Sequence, residues 1–180
     1  MYKRMIRVVL LVGMVWGMSG CDRLPSLQPK GREERAGLPR DTRLNLTLRE
    51  ARTEASVMDL DQYVNQAVLL NVWATWSLPC REECAVLNRL HLKYRDRGLV
   101  IVGILLDKGP EEAKALDFVQ SQELLYPNGW VENLNEMKPF DAMRVIPTKY
   151  MLNRNHEWVG SPIEGIVTEA ELSRRIEELL

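Results

Sequence analysis

The sequence has no surplus of charge: 24 lysines and arginines stand against 25 aspartates and glutamates, for a net charge of -1. It therefore lacks the basic footprint that nucleic-acid binding requires. No internal repeat is present, and no apolar run reaches the roughly 20 residues of a membrane-spanning helix. Histidine is scarce, with two residues, and so is cysteine, with three. Any thiol or metal chemistry must be built from those few. At 180 residues the chain suits one domain of about 100 to 150 residues plus accessory segments.

Lys3, Arg4 and Arg7 precede the apolar run Val8 to Met18, which is too short to span a bilayer but fits the core of a signal peptide. The run ends Met18, Ser19, Gly20, Cys21, which resembles the lipobox of bacterial lipoproteins. That resemblance implies cleavage before Cys21, lipidation of its thiol, and acyl chains as the membrane anchor. Residues 1–20 carry three positive charges and no acidic ones, so cleavage moves the net charge from -1 to about -4. Asp22 resembles the signal that retains lipoproteins at the inner membrane of many Gram-negative bacteria. The alternative is an uncleaved anchor or a plain secretory signal. In either case the domain is expected on the extracytoplasmic side of the bacterial envelope, where disulfides persist. Residues 21–43 are rich in Pro, Gly and charge and read as a flexible tether.

The folded domain is expected over 44–180. Leu44, Leu46 and Leu48 alternate with polar residues as a half-buried strand, and Val57 to Val64 suggests a brief helical turn. Ala67 to Trp73 is a continuous apolar run of strand length, as a central strand buried on both faces requires. Pro79 suits the first turn of a helix that ends near Arg97 and Gly98, Leu99 to Leu106 reads as a second buried strand, and Pro110 opens a helix to about Gln122. After YPNGW, a helical stretch is expected from Glu132 to Met143. A hairpin follows, with strands Lys149 to Leu152 and Glu157 to Gly160 around a turn at Asn153 to His156. A helix capped by Thr168 closes the chain. This order predicts an α/β fold with a mixed sheet flanked by helices.

Two segments carry a family resemblance. Leu70 to Glu83, LNVWATWSLPCREE, is similar to the strand-to-helix active-site passage of the TlpA/ResA-like redoxins, thioredoxin-fold thiol-disulfide oxidoreductases attached to bacterial membranes. Val145 to Thr148, VIPT, resembles the loop that faces the active site in that family, whose proline is cis. The resemblance spans about residues 44–180 and implies a thioredoxin-like fold with Pro147 as the cis proline. It also implies that Ile146 pairs with the backbone of an extended substrate, that Trp76 lines the surface receiving it, and that the partner is a protein bearing a thiol or disulfide. X-Pro bonds are the only common source of cis peptides.

The chain departs from the family at the residue that matters most. A dithiol site needs an exposed thiolate at a helix N-terminus and a second thiol three residues on to resolve the mixed disulfide. Cys80 matches the resolving position, but Ser77 stands where the attacking cysteine would be. An alcohol has no accessible anion at neutral pH and cannot enter sulfur exchange. Ser77 can be an inert remnant, a helix cap, or a ligand-binding hydroxyl. No His or acid is identifiable beside it for serine catalysis. Cys84, four residues after Cys80, is the only replacement thiol. In a regular helix their Cβ atoms lie about 5 to 6 Å apart, too far for a disulfide without local unwinding. Asn71 stands where many thioredoxins place a buried acid, and Trp73 is expected in the core.

The spacing of Cys80 and Cys84 also resembles the pair in Sco-type copper chaperones, but it begins at the resolving position instead of the exposed loop. His156, at the hairpin tip, and His91, seven residues beyond Cys84, are poorly placed as a third ligand. No metal or other cofactor is expected. The expectation is a member of the oxidoreductase family with weak or altered redox activity. The alternative is a non-catalytic module that keeps the peptide groove, and copper delivery ranks last.

Overall fold

The computed structural model describes residues 43–53 and 57–180. The expected signal peptide, the lipidation site Cys21 and the tether up to residue 42 lie outside the described residues. The elements are β1 (Thr47–Glu50), β2 (Val57–Asp59), β3 (Ala67–Trp73), α1 (Leu78–Tyr94), β4 (Leu99–Leu105), α2 (Pro110–Ser121), β5 (Asn128–Val131), β6 (Thr148–Leu152), β7 (Trp158–Glu164) and α3 (Glu169–Leu179). Short 3-10 segments occupy Leu60–Tyr63, Arg95–Arg97 and Leu134–Phe140.

The seven strands form one sheet in the order β2-β1-β5-β4-β3-β6-β7. β3 pairs in parallel with β4 and β4 with β5, while the outer pairings are antiparallel. Every residue of β3 and β4 is buried, because both faces of these central strands are covered. On one face Leu69, Trp73, Ile101 and Met151 pack against Cys80, Cys84 and Leu87 of α1, Val119 of α2 and Ile176 of α3. On the other face Val68, Leu70, Val102 and Tyr150 pack against Leu44, Leu46, Leu60 and Phe140. The expected mixed sheet flanked by helices is observed, with α1, α2 and α3 on one face and 3-10 segments and loops on the other.

The helix ends follow their sequence signals. Pro79 lies in the first turn of α1, and the chain leaves the last turn through Gly98 at φ 91°, a left-handed conformation open to glycine at little cost. The Thr168 hydroxyl accepts the Glu171 amide at 3.2 Å, capping α3. Three segments differ from expectation: within Val57 to Val64, expected as a helical turn, Val57–Asp59 is strand β2 and only Leu60–Tyr63 turns, as a 3-10 segment. Residues 132–143 contain a 3-10 turn over Leu134–Phe140, with Pro139 inside it, instead of an α-helix. Asn128–Val131, for which the sequence predicts no element, is a strand whose Asn128 side chain accepts the Trp73 indole N–H at 3.1 Å.

That indole bond requires a glycine across the sheet. A Cβ on Gly103 would stand 1.9 Å from Asn128 Oδ1 and 2.8 Å from Trp73 Nε1. Gly103→Ala is therefore expected to cost about 1–3 kcal/mol by overpacking, measured by urea unfolding. A cost within error of zero would show that Asn128 can move aside.

Candidate functional site

The site forms where β3 hands over to α1, at the carboxyl end of the parallel strands, the usual place for chemistry in such sheets. The loop between them is pinned from below. Buried Asp107 accepts both the Thr75 amide and, at 2.6 Å, its hydroxyl, and the Leu106 amide donates to Trp73 O at 2.9 Å. Ser77 takes the N-cap position of α1 with extended backbone, and its carbonyl accepts the Arg81 amide at 3.1 Å. Its side chain makes no capping bond. The hydroxyl is turned to the Cys80 sulfur, where it favours the thiolate.

Because Thr148 pairs with Val72, the Val145 to Pro147 loop reaches the same end of the sheet as the start of α1. The Ile146–Pro147 bond is cis, as the resemblance implied. The Thr148 hydroxyl donates to Val145 O at 2.6 Å and the Gly165 amide to Pro147 O at 2.8 Å, fixing the loop from both sides. Ile146 packs in part against the core cluster that includes Cys80, while Trp76 is 63% exposed and Leu78 and Val145 are also exposed. This end of the fold thus presents an apolar rim of Trp76, Leu78 and Val145. Trp73 is fully buried.

The two thiols sit below that rim. Cys80 is 1% exposed and Cys84 4%. Burial pushes the Cys80 thiol up, against the opposing effects of Ser77 and the Ala74 backbone, and pushes the Cys84 thiol up to about 12. Both are therefore protonated at neutral pH, the state of a quiet structural thiol. They are unpaired, in a helix unbroken from Leu78 to Tyr94, and the Cys84 thiol donates to the Cys80 carbonyl at 3.3 Å. After mild oxidation of the native domain, alkylation in denaturant should therefore label both cysteines fully. A mass two hydrogens short with neither cysteine labelled would show that α1 unwinds to close a bridge.

Sequence reasoning passed over the most polar feature of this region. Lys149 and Glu83 form an ion pair at 2.7 Å with side chains 0% and 1% exposed. Lys149 Nζ also donates to Gly165 O at 2.5 Å, and Glu83 Oε1 accepts the Val167 amide at 3.5 Å. The available signal was a lysine in a strand otherwise fully buried, Thr148–Leu152. On the far side of Cys84 stands Tyr126, whose phenol is pushed well above its ordinary range by burial. His91 lies against the Tyr126 ring, with centroids 6.5 Å apart, and His156 is buried with Nε2 3.2 Å from Tyr63 O. Among the described residues no three His, Cys, Asp or Glu side chains converge as a metal site.

Residues 41–157 match the AhpC/TSA family. The chain is 31% identical over 132 residues to the thiol-disulfide oxidoreductase ResA of Oceanobacillus iheyensis, covering 71% of this chain and 62% of that protein. It is 25% identical over 120 residues to ResA of Geobacillus kaustophilus, covering 67% of each. Among solved structures, a thiol:disulfide interchange protein DsbE from Chlorobium tepidum superposes with a TM-score of 0.68 at 19% identity, over 79% of this chain and 99% of that one. The exposed lipoprotein thioredoxin Etrx1 of Streptococcus pneumoniae gives 0.63 at 15% identity, over 75% and 99%. These structural likenesses show a thioredoxin-like fold.

Proposed function

The chain belongs to the AhpC/TSA family, with relatives named as thiol-disulfide oxidoreductases, and from that premise we propose that it is a lipid-anchored envelope protein that binds a thiol- or disulfide-bearing polypeptide without ordinary dithiol turnover. One observation carries this reading. The helix-start position that needs an exposed thiolate holds Ser77, and the thiol beneath it, Cys80, is buried with its pKa raised. The rim of Trp76, Leu78 and Val145 and the Ile146–Pro147 backbone supply the groove for an extended chain. Cys80, with or without Cys84, is the only thiol in this site able to support residual redox chemistry.

A soluble protein beginning at Asp22 tests this directly. Its reduction of insulin by dithiothreitol should stay near the uncatalysed rate. Fast turnover abolished by Cys80→Ala would sink the reading. The anchor has its own test: Cys21→Ala should move the protein from the membrane fraction to the soluble envelope fraction, and retention in the membrane would overturn lipidation as the attachment.

A further inference from the structure

Thr148 pairs with Val72 at the end of the sheet that carries the site, while Leu152 pairs with Val68 at the opposite end. The seven residues of β3 set these ends about 20 Å apart. Beyond Leu152 the turn into β7 runs through Asn153 to Glu157. There the Leu44 amide donates to the His156 carbonyl at 3.0 Å, and Arg43 bridges to Glu157. The chain that leads back to Cys21 therefore joins the domain at the pole opposite the site.

That pole carries a cavity of about 320 Å³ lined by Arg43, Val64, Asn65, Arg154, Asn155 and Glu157. Arg43 is engaged by Asp61 at 2.6 Å. The Arg154 guanidinium donates to two carbonyls, of Asn65 at 2.9 Å and Leu180 at 3.4 Å, and the Glu157 carboxylate accepts the Asn153 side-chain amide at 2.8 Å. Among the described residues neither Arg154 nor Glu157 has a side-chain counter-ion. One cation and one carboxylate, both uncompensated, thus line a single cavity, with the Asn65 and Asn155 side chains as further donors.

We propose that this cavity seats the phosphoethanolamine headgroup of a bilayer lipid, its phosphodiester on Arg154 and the two asparagines and its ammonium on Glu157. A guanidinium offers a phosphate two parallel donors, and a primary ammonium donates to a carboxylate where a trimethylated one has no hydrogen to give. Two observations favour a lipid over free phosphate. Glu157 repels a simple anion but complements a ligand that carries a cation beside its phosphate. The cavity also includes Arg43, where the chain from the anchoring cysteine arrives, and Val64, 47% exposed, adds apolar surface at its edge. The inference deepens the anchored reading above and gives it an orientation. With a headgroup seated, the rim of Trp76, Leu78 and Val145 points away from the bilayer and meets polypeptides from the aqueous side.

Flotation of the soluble protein beginning at Asp22 with vesicles tests this, comparing phosphatidylcholine alone with an equal mixture of phosphatidylcholine and phosphatidylethanolamine. Binding to the mixture should be about tenfold tighter, the worth of one charge-assisted hydrogen bond. Arg154→Gln should weaken binding to both vesicles. Glu157→Gln, which keeps an acceptor for Asn153, should erase the preference for ethanolamine. Titration with glycerophosphoethanolamine should shift the amide resonances of Asn65 and Asn155 at concentrations where inorganic phosphate does not. No binding, equal binding to both vesicles, or an equal response to inorganic phosphate would each overturn the proposal. If Arg154→Gln does not fold, Glu157→Gln decides by the same comparison. The protein tested carries no lipid, so failure here leaves the Cys21 anchor standing. A single headgroup contact reverses during washing, so the Cys21→Ala fractionation reports the anchor alone.

Discussion

Ser77→Cys should raise insulin reduction about 10- to 100-fold over the wild-type domain. A thiol at the N-terminus of a helix has a pKa of about 3.5 to 7.5, so much of it is thiolate at pH 7, whereas a thiol held above 9 is less than about 1% ionised. The intrinsic nucleophilicity lost with the lower pKa takes back part of that gain. Position adds to it, because the introduced sulfur replaces a residue 9% exposed beside the apolar rim while Cys80, at 1%, stays beneath it. The new thiolate attacks the insulin disulfide and releases one insulin thiol. Cys80 then attacks the mixed disulfide, and dithiothreitol reduces the resulting intradomain bridge. Adding Cys80→Ala to Ser77→Cys should abolish turnover and leave a stable mixed disulfide visible on a non-reducing gel. A folded Ser77→Cys protein with no gain would show that the groove, and not only the missing sulfur, has been lost to redox substrates.

The frame of this site was open to reading because its signals are local. A continuous apolar run from Ala67 to Trp73 can only be covered on both faces, Pro79 and Thr168 mark helix starts, and the VIPT motif marks the loop that carries the cis bond. What escaped is set by partners distant in sequence. Asn128 and Gly129 carry no strand signal in the sequence, yet they form β5 because Asn128 bonds Trp73 and Gly129 abuts the Arg49 backbone of β1, where a Cβ would stand 2.5 Å from Arg49 O. In the sequence Lys149 reads only as the start of a strand. It is buried because a carboxylate 66 positions away waits for it on α1. Even Ser77 changes meaning in three dimensions: as a sequence position it reads as an inert remnant, a cap or a ligand-binding hydroxyl, but its side chain makes no capping bond and favours the Cys80 thiolate.

The second large effect follows from that buried pair. Lys149→Met or Glu83→Leu should each cost about 3–5 kcal/mol, because each leaves a charge in the core without its counter-ion. For a domain of this size that corresponds to a fall in Tm of about 10 °C or more. Replacing both, as Glu83→Leu with Lys149→Met, should cost far less than the sum of the single losses, since apolar groups of similar volume need no partner. The direction of the Lys149 pKa supports this: burial lowers it despite the adjacent Glu83, so leaving water costs the ammonium more than the carboxylate returns. The pair therefore contributes little net stability. Its contribution is placement, because three hydrogen bonds tie α1, the strand after the cis proline and the loop into α3 through Glu83, Lys149, Gly165 and Val167. Thermal and urea unfolding of the four proteins closes the cycle. Single losses below about 1 kcal/mol that simply add would mean that water reaches the pair, and the tie between these three elements would then rest on apolar packing alone.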